Sequence, residues 1–358
     1  MPSSTSNFDF QRPVPDLPWR GLVLAVVLLT TVATVAWEIR ARSLGYRPSL
    51  NDTSDLWADQ RQAVKPDSIV IIGDSRALFD NDLDTLQQGL GQRPVQLALV
   101  GSCAYPVLEN LANDETFHGT VIASVVPLMW FAPPPSPPYH NSQRALKRYA
   151  HRTLAQRSGH YLSMWLEEHL AFMNADLKLE PLLDDVPVSP RAAFHPTPVL
   201  PPDFATIDRD RRTRMWESCN VPGPLQERVK NGWLPVFTPP PPPPYVPKEA
   251  FAAGMAKAMA ARFADTITAV KKIQARGGKV VFVRYPVSGE LKKHEDQLTP
   301  RVGPWNGLIK ATGAPGIYFE DYPELAGFTC PEWSHLSAGD SVEFTKRLLP
   351  HLQQALAP

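Results

Sequence analysis

The chain has no excess of charge of either sign: its 358 residues carry 36 Lys and Arg against 36 Asp and Glu. That balance gives no sign of a nucleic-acid partner, which would want a basic face. Cysteine is scarce. Cys103, Cys219 and Cys330 match no CxxC zinc spacing and no disulfide scaffold, so at most one disulfide can form. The G-x-S-x-G elbow, the P-loop and the G-x-G-x-x-G fingerprint are missing as well, which removes that nucleophile turn and both phosphate-cradling loops. A hydrophobic content of 43% with 20% charge excludes a disordered chain. The length gives room for one large domain or two small ones.

Proline, by contrast, is abundant. There are 39, about twice the usual ~5%, and 22 of them fall between Pro133 and Pro247. That third of the chain is poor in regular structure, so catalytic residues are sought on either side of it.

Gly21 to Trp37 runs without a charge. With Trp19 and Arg20 it makes about 28 Å of helix, close to the hydrocarbon thickness of a bilayer. Trp19 and Trp37 stand at its ends, where amphipathic rings prefer the membrane interface. A buried core helix and a cleaved signal peptide are the alternatives. The long acidic-bearing tail before it and the poor cleavage site at Thr34-Val35-Ala36 argue for an uncleaved anchor. Arg12 and Arg20 before it and Arg40, Arg42 and Arg47 after it leave the orientation unsettled by charge.

Beyond the anchor, Asp67–Ile72, Val95–Val100, Thr120–Val126, Lys279–Arg284 and Gly316–Phe319 read as buried strands, several closed by Gly or Pro. Helical patterns fill the gaps. The clearest has Phe251, Met255, Met259, Phe263, Ile267, Val270 and Ile273 on one stripe, read as core, and ends at Gly277-Gly278. Alternation of this kind predicts a parallel sheet covered on both faces. Between the third and fourth strands the pattern lapses: Ser142 to about Leu170 reads as two helices broken near Gly159, and Pro239 to Pro244 as a polyproline strut. The expected division is a tail at 1–18, a transmembrane anchor at 19–38, core at 39–131, a proline-rich and helical insertion at 132–247, and core again at 248–358.

In an open parallel sheet, ligands sit beyond the carboxyl ends of the strands. Strand one leads into Gly73-Asp74-Ser75-Arg76, strand two into Gly101-Ser102-Cys103, strand four into Arg284-Tyr285-Pro286. Late in the chain comes Cys330-Pro-Glu332-Trp-Ser-His335-Leu-Ser337, where Ser337 and Asp340 form a capping pair for the last helix. His335 stands apart from the other eight histidines because an acid precedes it by three residues and a helix start follows. Cys330, Glu332 and His335 as metal ligands would lack a fourth. Cys103 and Cys330 both adjoin the site residues, and a disulfide between them is open on sequence alone.

This arrangement resembles the SGNH (GDSL) hydrolase family, which has a Gly-Asp-Ser block after strand one, a glycine after strand two, an asparagine after strand three and Asp-x-x-His near the end. The likeness covers about half the chain. It implies a three-layer α/β/α sandwich with a five-stranded parallel, flavodoxin-like sheet, Ser75 as nucleophile, His335 as base and Glu332 in place of the usual Asp. Either carboxylate can hold the imidazole tautomer. The amides of Ser75 and Gly101 become the oxyanion donors. The asparagine is missing, and Arg76 or Arg284 is the candidate substitute, with salt-bridge partners as their bland alternative. The ending of strand three, the single anchor and the insertion are similar to membrane-anchored members that partner membrane-bound O-acyltransferases, such as the teichoic-acid D-alanylation protein. The resemblance implies a serine esterase or O-acyltransferase in the bacterial inner membrane, facing the periplasm or exterior. Its substrate would be a cell-envelope glycan or another acyl ester, its partner a membrane-bound O-acyltransferase, with no cofactor, metal or nucleic acid. The alternative is a non-catalytic envelope scaffold that keeps the fold.

Overall fold

The computed structural model describes residues 18–184, 201–238 and 244–357. The expectations placed on the tail before Pro18, on His195 and on 239–243 of the proline run lie outside the described residues.

Five strands form one sheet: β1 (Ile69–Ile72), β2 (Val95–Gln96), β3 (Thr120–Ser124), β6 (Lys279–Arg284) and β7 (Gly316–Tyr318). All neighbours are parallel, in the order β2-β1-β3-β6-β7. A separate antiparallel pair, β4 (Ala205–Ile207) and β5 (Thr213–Met215), belongs to the insertion. Successive residues of β1, β3 and β6, from Val70 to Ile72, Val121 to Ala123 and Val280 to Val283, are buried. Continuous apolar runs of this kind suit a parallel ladder, and β-branched side chains pack well on its pleats. The order reverses beside β1 and β3, which opens a crevice at their carboxyl ends. Gly73, at the end of β1, lies against that crevice's wall: a Cβ there would stand 2.5 Å from Cβ of Ser124.

Several expectations need correction. β2 ends at Gln96, not Val100, because the Gln96 side chain takes over backbone positions: its Oε1 accepts from Ala98 N–H at 3.0 Å. Extended pairing persists beyond it through Leu97 N–H to Ile71 and Leu99 N–H to Gly73. The insertion's first two helices are Pro137–His151 and Leu154–Glu167, and a later one, Pro224–Phe237, carries Trp233. The break falls at Arg152–Thr153 and not at Gly159, because Thr153 and Gln156 form a reciprocal capping box that starts the second helix. The long helix Lys248–Ala275 ends as expected before Gly277, at φ +84°. Only its carboxyl half is core, however: Arg262, Thr266, Ala269, Val270 and Ile273 are buried, while Met255 is 43% exposed. The insertion is not external to the core either, since Phe204, Trp233 and Phe237 pack in the same cluster as the sheet.

The first helix, Trp19–Ser43, is long and apolar enough to cross a membrane. It runs past the expected limit at 38. None of its apolar window is buried within the protein, which removes the core-helix alternative. Its last turn does touch the rest of the chain. Ala41 packs with Ala171, Leu177, Tyr46 and Phe172, and Glu38 accepts from Phe172 N–H at 3.1 Å.

Candidate active site

Ser75 opens a five-residue helix, Ser75–Phe79, directly after β1. Asp74 caps it, its Oδ1 accepting from Arg76 N–H at 2.8 Å. The Ser75 N–H, at the first helical position, makes no intrahelical bond. Ser75 itself is half-buried.

His335 and Glu332 lie on the loop before the final helix, Ala338–Ala355, which Ser337 caps by accepting from Asp340 N–H at 3.1 Å. Both are fully buried. Oε1 of Glu332 accepts from His335 Nδ1 at 2.9 Å and from the His335 backbone N–H at 2.5 Å. Its Oε2 accepts from Ser334 N–H at 3.4 Å and from the Trp233 indole Nε1–H. All four partners donate, so the carboxylate is filled and the Nδ1 proton is fixed in place. That tautomer leaves Nε2 as the basic nitrogen, and Nε2 is buried without a hydrogen-bond partner. Ser75 and His335 are therefore not bonded to one another here.

The loop carrying this pair is held under backbone strain. Trp333, between Glu332 and Ser334, has φ +79°, a left-handed conformation that costs a bulky residue about 1–3 kcal/mol. Trp333 N–H bonds to Cys330 and its carbonyl accepts from Ser288 N–H. Gly289 supports the ring: a Cβ there would lie 2.4 Å from Trp333 Cδ1.

Three contacts bind the Ser75 helix to this loop. Phe79 lies on the His335 ring at 4.4 Å between centroids. It is four residues after Ser75, on the same helix face. Arg76 Nε donates to Ser334 Oγ at 3.3 Å. Asp80 Oδ1 accepts from Leu336 N–H at 2.9 Å. Phe204 and Trp233, both from the insertion, complete an aromatic box around His335 at 5.8 and 5.4 Å.

Arg76 and Arg284 converge on Glu295, not on an open crevice. Arg76 gives Glu295 two hydrogen bonds, Arg284 one, and all three side chains are buried. The two cations hold the Glu295 carboxyl down to about 2 despite its burial. Their salt-bridge role is thus the observed one. Gly101 takes φ +57° beside Asn141, whose Nδ2 donates to its carbonyl at 3.0 Å. Asp80 carries a second buried oxygen without a partner, and burial pushes its carboxyl well up, with Glu332 and Asp74 adding to the shift.

Cys103 and Cys330 are buried free thiols, not a bridge. Burial raises Cys103 to about 11 and Cys330 well above its ordinary range, so neither is a thiolate nucleophile at neutral pH. Among the described residues no group of three or more His, Cys, Asp or Glu is placed to hold a metal. Phe79 and Asp80 were findable from the i, i+4 and i, i+5 positions after Ser75. Glu295, Phe204 and Trp233 carried no sequence signal. Comparison with family models, curated proteins and solved structures gives no match to this chain.

Proposed function

We propose that the chain is a membrane-anchored serine esterase or O-acyltransferase of SGNH type, built as a three-layer α/β/α sandwich and acting through an acyl-Ser75 intermediate. The observation that carries this reading is the Glu332–His335 pair. A carboxylate filled by donors fixes Nδ1–H and leaves a buried, unpartnered Nε2, on a loop fastened at three points to the helix that Ser75 begins. Histidine so prepared is a general base for a hydroxyl that is weak at its own pKa.

In the first half-reaction Ser75 Oγ adds to the acyl carbonyl as its proton passes to His335 Nε2. The tetrahedral oxyanion collapses, the ester C–O bond breaks, and the leaving alkoxide takes that proton. Water or a glycan hydroxyl then attacks the acyl-enzyme by the same route. Glu332 stabilises the imidazolium in both halves without itself taking the proton. The amides of Ser75 and Gly101 are the oxyanion donors in this scheme. Arg76 and Arg284 are committed to Glu295, so they act through the position of the Ser75 helix. The reading extends to a bacterial inner-membrane protein with this domain outside, a cell-envelope glycan or similar acyl ester as substrate, and a membrane-bound O-acyltransferase as partner.

Complete burial of His335 and its missing bond to Ser75 favour a second reading, a non-catalytic envelope scaffold. A fluorophosphonate probe on the intact protein separates the two. Labelling that Ser75→Ala abolishes supports the enzyme, and an unlabelled, folded wild type supports the scaffold.

A further inference from the structure

The helix Leu154–Glu167 is turned inside out. Its buried residues are His160, Met164 and Glu167, and two of the three are polar. His160 Nε2 pairs with Asp59 at 3.0 Å, and Glu167 accepts from Asn51 N–H at 2.9 Å. Its large apolar side chains point the other way: Leu154 is 80% exposed, Tyr161 58%, Leu162 62% and Trp165 56%. At 100° per residue these four and Ser158 fall within an arc of about 100°, the width of a core-facing stripe. No charged residue lies in that arc. Leu179 and Leu183, just beyond in the chain, are also outward, at 73% and 57%.

A stripe of this kind faces something other than water, and its position says what. The chain leaves this helix directly into Ala171–Met173, the short turn against which the end of the first helix packs. The contact is made at Glu38 and Ala41, within a turn or so of Trp37, the residue at the end of the apolar run. The carboxyl end of this helix is therefore held beside the point where a membrane-crossing helix would meet its interface. Tyr and Trp on one face with aliphatic neighbours suit that layer, in which amphipathic rings are stable. Arg40 and Arg47, both exposed at the exit of the same helix, suit anionic headgroups.

We propose that Leu154, Tyr161, Leu162 and Trp165, with Leu179 and Leu183, form a face that lies in the lipid headgroup layer and seats the domain on the bilayer beside its anchor. The proposal rests on the reading of the first helix as a membrane span. It adds a fixed orientation to that span: the domain does not swing on a tether but rests against the lipid.

The experiment uses the full chain in phosphatidylcholine–phosphatidylglycerol vesicles, with an environment-sensitive label on Leu162→Cys, Trp165→Cys or, as control, Val302→Cys. The three native cysteines are buried, so labelling is selective, and these positions are exposed, so the fold is kept. Expected are a blue shift and loss of most fluorescence to nitroxide-labelled lipid at 162 and 165, with the 302 label quenched only by aqueous iodide. Equal iodide quenching at all three positions in protein that resists alkaline extraction would overturn the seated face while leaving the anchor intact. Release by alkaline extraction would overturn both. Protection at 162 that vanishes on dilution into excess lipid would mean that a second copy, not lipid, covers the stripe, and would also overturn the proposal.

Discussion

Trp233 and Glu332 meet across 99 residues of chain: the indole Nε1–H donates to Oε2, while the opposite carboxylate oxygen holds His335. The insertion thus finishes the support of a residue pair that belongs to the core. The first prediction is that Trp233→Phe keeps the aromatic box but leaves Oε2 short of a donor. A buried acceptor so exposed costs about 1–3 kcal/mol, read as a lowered melting temperature. Fluorophosphonate labelling should slow as well, because Glu332 loses part of its fixed geometry. Unchanged melting and labelling would show that the indole contributes ring packing alone.

Glu332→Gln tests the tautomer directly. The amide cannot match all the donors around it, so Nδ1–H is no longer enforced. Turnover of a short-chain nitrophenyl ester should fall steeply, the related Asp→Asn change in a serine-protease triad costing about 10⁴. Glu332→Asp keeps the charge and should retain more activity than Gln. Ser75→Ala and His335→Ala should each cost about as much as both together. Wild-type rates in Glu332→Gln would leave a Ser–His dyad at most.

Glu295 ties the acid stability of the protein to two arginines. Its carboxyl lies at about 2 in the fold against about 4.3 in an unfolded chain. Depressed in this way, it contributes stability that is complete above the unfolded value and is lost as the pH falls toward 2. Glu295→Gln should flatten the urea-midpoint profile in that window. It should also lower stability at neutral pH by about 3–5 kcal/mol, because Arg76 and Arg284 are left buried without their anion.

Asp80 should act in the opposite sense. Its carboxyl is raised, so the native state keeps a proton that the unfolded chain releases near pH 4. Stability then falls as the pH rises from that value toward the folded one. Asp80→Asn retains an acceptor for Leu336 N–H and removes the titration. Its melting temperature at neutral pH should match or exceed the wild type, and the slope above pH 4 should diminish. A lowered, pH-independent melting temperature would mean that the carboxylate is the form the site requires.

Strands β1, β3 and β6 were legible because each is a run rich in β-branched residues that leads to a recognisable stop. Gly277 closed the long helix for a similarly local reason. What escaped was set at a distance. Met255 satisfies the helical stripe as well as Val270 does, and only the extent of the packed sheet leaves one outside and buries the other. Gly159 reads as a breaker, yet the helix start is fixed six residues earlier by the Thr153 cap. The Gly-Asp-Ser and Glu-x-x-His segments were visible as separate strings. Nothing in either string announces that Arg76 will spend its charge on Glu295, 219 residues away, or that Trp233 will close the far side of Glu332.

The seam between β3 and β6 also sets a schedule. These strands are adjacent in the sheet but stand 159 residues apart where Val125 meets Arg284. At ribosomal speeds of about 5–20 residues per second, β3 is made roughly 8–30 s before its partner. Through that interval the nascent half-sheet of β2, β1 and β3 has an open apolar edge of the kind that pairs with strands from other chains. The insertion, which supplies Phe204 and Trp233 to the same core, is made within that interval, before Lys279 arrives.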